Sequence, residues 1–166
     1  MYLIVDVTLC PIQIDHSDWK LQKLFFSVKH KEHGLKYEIG ISPSTGYLHW
    51  IAGGVLGSIH DLTLVTHSGL LNHLHDGEHI YGDKAYIGNP FFITPYKGKP
   101  EDLNWYQNTW NTFINHHRVK VENVIGRMKN FKALSTPWRH DLSLHSVAFT
   151  VVAQLVALDM YKHPIR

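Results

Sequence analysis

Leu35-Lys36-Tyr37-Glu38-Ile39-Gly40-Ile41-Ser42-Pro43-Ser44-Thr45-Gly46-Tyr47-Leu48-His49-Trp50-Ile51-Ala52-Gly53-Gly54-Val55 decides the fold class. Leu35, Tyr37, Ile39 and Ile41 alternate with Lys36, Glu38, Gly40 and Ser42, the period of a strand. Ser42 to Gly46 is turn chemistry, and a second extended run follows over residues 47–55. A connection this short makes the two strands an antiparallel hairpin.

Working outward, residues 2–8 are rich in β-branched side chains and read as a first strand, with Asp6 set among Val5, Val7 and Thr8. Beyond the hairpin, Leu62, Val65, Leu70, Leu71 and Leu74 supply a helix-like run, weakened at Gly69, with Asp61 placed to cap its start. Short strands are expected over residues 78–82 and 91–94. The chain is expected to be helical over 102–131, in one or two pieces, and again over 141–160. Leading antiparallel strands followed by a helical crossover imply an α/β domain, a mixed five-stranded sheet flanked by helices.

The 166 residues fit one domain, 1–166, and 44% hydrophobic content suffices for a core without staples. With 18% charged residues and no low-complexity tract, intrinsic disorder is excluded. A single cysteine, Cys10, excludes a disulfide framework and a Cys-based zinc finger, and fits a reducing compartment. The formal charge of +2 is too mild to declare a nucleic-acid partner. Fourteen histidines are scattered without a His-Glu-x-x-His motif, so a zinc site is not expected. The N-terminus lacks a basic region and meets Asp6 early, unlike a signal peptide. The apolar run 142–158 carries Ser143, His145, Ser146, Thr150 and Gln154, which reads as a buried helix and not a membrane span. No membrane association and no secretion are expected.

Three acids occupy awkward places: Asp6 inside an apolar strand, Asp83 at a strand end, and Glu122 on a helix. At 100° per residue, Val121, Val124, Ile125 and Met128 form a core-facing stripe. Arg118, Glu122 and Lys129 cluster within about 40° at its edge. Carboxylates converging at strand ends repel one another unless cations lie between them, and hard divalent ions such as Mg²⁺ or Mn²⁺ suit such oxygens. Spacing alone also allows Asp6 and Asp83 to cap turns and Glu122 simply to pair with Arg118. Arg118, Lys120, Arg127, Lys129 and Lys132 against Glu122 form a local basic patch, either a phosphate-binding surface or a solvated helix face. The aromatic group Trp105, Tyr106, Trp110 and Phe113 reads as core packing.

The motifs resemble the catalytic domain of PIF/Harbinger-type transposases of the DDE superfamily of endonucleases. The resemblance rests on four ordered blocks: Val5-Asp6-Val7-Thr8-Leu9-Cys10-Pro11-Ile12; Gly57-Ser58-Ile59-His60-Asp61; Gly82-Asp83-Lys84-Ala85-Tyr86 with Ile93-Thr94-Pro95; and Arg118-x₃-Glu122-x₂-Ile125-Gly126-x₂-Lys129. Departures are Val7 for a small residue, Ala85 for glycine, and Asn115 where related enzymes often carry tyrosine. The resemblance implies a ribonuclease-H-like fold with Asp6, Asp83 and Glu122 as metal ligands, 38 residues separating the last two. Asp61 is the rival second ligand. It further implies a Mg²⁺ (or Mn²⁺) cofactor and a two-metal DNA endonuclease and strand transferase, with Arg118, Lys120, Arg127 and Lys129 holding phosphate or orienting Glu122. The alternative is a domesticated or truncated relative that binds DNA or protein without cutting. The N-terminal DNA-binding region usual in such transposases is expected to lie outside residues 1–166. The expected partners are therefore DNA and a separate DNA-binding protein or domain, with room for an oligomer. The expected location is the nucleus in a eukaryote, otherwise the cytoplasm.

Overall fold

In the computed structural model, which describes residues 3–15 and 17–165, the hairpin forms as expected from β3 (Glu32–Ile41) and β4 (Leu48–Leu56). The register slips between Lys36 and Tyr37 and between Gly40 and Ile41. The first slip skips Gly54, and Gly53 beside it takes the backbone conformation that the slip requires. The Gly53 φ is +129°, and a Cβ there would stand 2.5 Å from the Lys36 carbonyl oxygen. β1 (Leu3–Pro11) lies antiparallel to the other edge of β3, from Ile4 opposite Ile41 to Pro11 opposite Gly34. The expected start of this strand at Tyr2 lies outside the described residues.

β5 (Ile80–Tyr81) and β6 (Phe92–Ile93) are shorter than expected, two residues each, and both pair parallel. The sheet has six strands, not five. The addition is β2 (Phe26–Ser27), which follows α1 (Trp19–Phe25) and pairs with His33 and Glu32. A helix of seven residues capped by Asp18, and a two-residue strand, are too short to show a periodicity. The result is a mixed sheet flanked by helices, consistent with a ribonuclease-H-like fold.

Strand periodicity divides the core. Ile4 and Cys10 face a layer made by α3 (Trp105–Lys129) and α5 (Ser143–Lys162), through Val121, Val124, Met128, Phe149 and Val156. Leu3 and Val5 face the other layer, with Val65, Leu70, Ile80 and Tyr86. Asp6 shares the parity of Ile4 and Cys10, so it points toward α3. α3 is one unbroken helix of 25 residues, opened by a capping box between Asn104 and Gln107. A separate short helix, α4 (Lys132–Ser135), follows it. The aromatic residues at its start are not core: Trp105 is 80% and Tyr106 59% exposed.

The expected run after β4 is split. α2 (Asp61–His67) stops before Gly69, whose left-handed φ of +87° turns the chain into a single 3₁₀ turn, Leu70–His73. α5 is long and apolar enough to cross a membrane by length and composition alone. It buries His145, Phe149, Val152, Ala153, Val156 and Met160 against the sheet, while Val147, Val151, Leu155 and Leu158 remain exposed. The helix expected to be buried is thus buried on one face.

Candidate active site

Parallel pairing sets the geometry of the acids. Leu3 lies opposite Ile80 and Ile4 opposite Tyr81, a constant offset of 77 positions. Carried two residues onward, the same offset runs from Asp6 to Asp83 as β5 ends. The two side chains are then held alike. The Asp6 Oδ1 accepts the Val7 N–H at 2.8 Å, and the Asp83 Oδ1 accepts the Ala85 N–H at 2.7 Å. In each, the Oδ2 is left to face a cation: Arg118 Nη2 at 3.7 Å for Asp6, Lys29 Nζ at 3.9 Å for Asp83.

Arg118 also reaches back to Glu122, 3.3 Å from Oε1, one turn along α3. Glu122 itself is half exposed at the edge of the buried stripe. Asp6 is largely buried, and burial raises its pKa despite the Val7 hydrogen bond and the Arg118 charge; Asp83 adds to the rise and Lys29 opposes it. Asp6 therefore feels Arg118 on one side and the Asp83–Lys29 pair on the other.

Asp61 is placed differently from expectation. It is the first residue of α2, but its carboxylate makes no helix cap. The carboxylate is instead clasped by two ammonium groups, Lys36 Nζ at 2.9 Å on Oδ1 and Lys29 Nζ at 3.0 Å on Oδ2. Burial pushes its pKa up, but the hydrogen bonds and charges of Lys36 and Lys29 prevail and lower it. Lys36 is 6% exposed and also donates to the Ile59 carbonyl at 2.6 Å. An open cleft of about 520 Å³ lies over this network, lined by Lys29, Ser58, His60, Asp61, Thr63 and Asp83 among others.

The basic residues of α3 divide by role. Arg118 joins Asp6 to Glu122. Lys120 donates to the Pro43 carbonyl at 2.7 Å, in the turn between β3 and β4. Arg127 pairs with Asp159 and donates to the His163 carbonyl at 2.8 Å, tying α3 to α5. Lys129 donates to the Leu9 carbonyl, and to that of Leu134 at 2.8 Å. Three of the four cations expected to meet phosphate or orient Glu122 are thus engaged with other parts of the chain.

Among the described residues, no group of three or more His, Cys, Asp or Glu side chains is gathered closely enough to hold a metal ion. The chemistry of the donor set nevertheless suits a hard divalent cation: carboxylate oxygens only, with side-chain cations already standing between them. Lys29 and Lys36 escaped sequence reading. Lys36 looked like the polar face of an alternating strand, and residues 26–33 show no period.

The family model described as DDE superfamily endonuclease matches residues 5–158. The chain is 34% identical over 143 residues to a protein described as a probable transposase for insertion sequence element IS702, from Microchaete diplosiphon. That match takes in 83% of this chain and 50% of the relative, so the chain spans about half the relative's length. No solved structure matches significantly. A match over nearly the whole chain places it in a family: the chain belongs to the DDE superfamily endonucleases.

Proposed function

We propose that this domain is the DNA-cutting part of a transposase, of the PIF/Harbinger type its motif blocks resemble. Asp6, Asp83 and Glu122 would hold Mg²⁺ or Mn²⁺. The chemistry that a pair of such ions supplies is activation of water or a DNA 3′-hydroxyl for in-line attack, with stabilisation of the leaving oxygen. The observation that carries the reading is the β1–β5 register, whose offset, continued two residues past the paired positions, relates Asp6 to Asp83, with one oxygen of each facing a cation. Backbone N–H groups fix the other oxygens, so the carboxylates are oriented before any ligand arrives. Arg118 positions Glu122 and keeps the burial of Asp6 tolerable. The cleft beside Asp83 offers hydroxyls and an imidazole to a phosphodiester.

Nicking of supercoiled plasmid with Mg²⁺ or Mn²⁺ tests this. Asp6→Asn, Asp83→Asn and Glu122→Gln should each lower nicking by about 100-fold or more, the scale of losing about 2.7 kcal/mol at the transition state. Glu122→Gln should change stability by no more than about 1 kcal/mol, because the residue lies outside the core. Undiminished nicking by a folded Asp83→Asn protein would remove Asp83 from the centre.

A further inference from the structure

We infer that Lys29 is an exchangeable counter-ion of the acidic centre: it neutralises Asp83 and Asp61 in the metal-free chain, and a divalent cation displaces it. This rests on the metal-site reading above and assigns a role to a residue outside the motif blocks. Lys29 Nζ lies 3.0 Å from Asp61 and 3.9 Å from Asp83, bridging the two carboxylates.

The two lysines on Asp61 are not equivalent. Lys36 is buried and holds both Asp61 and the Ile59 carbonyl, so it cannot leave without stranding polar groups. The Lys29 side chain is 50% exposed, and its departure leaves Asp61 with Lys36 and Asp83 with the Ala85 N–H. Release therefore strands neither carboxylate.

Charge balance points the same way. With each acid ionised, Asp6, Asp61, Asp83 and Glu122 face Arg118, Lys29 and Lys36, a net charge of −1. One bound divalent ion would make this +1, and release of Lys29 restores neutrality. The freed ammonium stays at the cleft it lines, where an incoming phosphate needs a cation.

Calorimetric titration with Mn²⁺, without DNA, tests the exchange on the parent, Lys29→Met and Lys29→Arg. The methionine variant should bind Mn²⁺ roughly fivefold tighter, the scale of one half-exposed ion pair. Arginine, which keeps the competing charge, should bind like the parent. In ¹⁵N spectra of the parent, the Lys29 ammonium signal should shift as Mg²⁺ is added. Unchanged affinity in Lys29→Met, or an unmoved Lys29 signal at saturating Mg²⁺, overturns the proposal while leaving the metal site intact. Parent protein that binds no divalent ion, or binding that survives Asp83→Asn, overturns the metal site and the exchange together.

Discussion

Glu38 shows how far a single residue can depart from its sequence pattern. It occupies a polar position in the alternation of β3, yet it is fully buried. Its Oε1 accepts the Trp50 indole N–H at 2.6 Å and the Ser68 hydroxyl at 3.1 Å, while Oε2 has no partner among the described residues. Burial raises its pKa to about 7, against the lowering effect of those two bonds. A raised folded-state value means that the native state holds the proton more tightly than the unfolded chain does. The associated stability is complete below about 4.5 and is lost as pH climbs through about 7. Glu38→Gln should therefore flatten the fall in stability across that window. Denaturant unfolding at pH 5 and pH 8 should show the parent-minus-variant difference changing by on the order of 2–3 kcal/mol, in favour of glutamine at pH 8. Parallel curves for the two proteins would assign the pH dependence elsewhere. Alternation predicted a strand correctly here but not the burial of both its faces. Covering layers on each side turn Lys36 and Glu38 into interior groups, held by Asp61 and the Ile59 carbonyl and by Trp50 and Ser68 respectively.

At the scale of elements, signals spanning several periods were legible and short ones were not. The β3–β4 hairpin, the long α3 with its Val121–Val124–Met128 stripe, and α5 all carry enough repeats to be read directly. α1, β2 and the two-residue strands depend on tertiary pairing, which sequence period does not encode. The same limit hid Lys29, whose partners lie 32 and 54 positions away on other elements. Gly53 illustrates an element held by one backbone conformation. A Cβ there meets the Lys36 carbonyl at 2.5 Å and the Tyr37 Cα at 2.7 Å, in a region of φ that side chains avoid. Gly53→Ala should cost about 2 kcal/mol or more in chemical denaturation, since neither neighbour is a flexible side-chain end. A loss within about 0.5 kcal/mol would mean that the slip in register relaxes freely.

Over the whole molecule, the three acids come from a central strand, a strand end and a long helix, 77 and 39 positions apart along the chain. Composition could not join them; the motif blocks suggested the grouping, and the sheet supplies a physical reason for Asp6 and Asp83. What the sequence left open was Asp61. Its place at the head of α2 fitted a cap, whereas the fold ties it to Lys36 and Lys29. We propose Asp83 over Asp61 as the partner of Asp6, because the buried Lys36 already occupies the Asp61 carboxylate. A change of metal preference tests the assignment most directly. Asp83→Cys replaces a hard oxygen with a sulfur that Mg²⁺ binds poorly and Mn²⁺ tolerates better. Plasmid nicking by this variant should be lost in Mg²⁺ and recover in Mn²⁺ by about tenfold or more relative to Asp83→Ala, a difference of about 1.4 kcal/mol. Nicking by Asp83→Cys that matches Asp83→Ala in both metals, beside a parent active in both, would contradict Asp83 as a ligand.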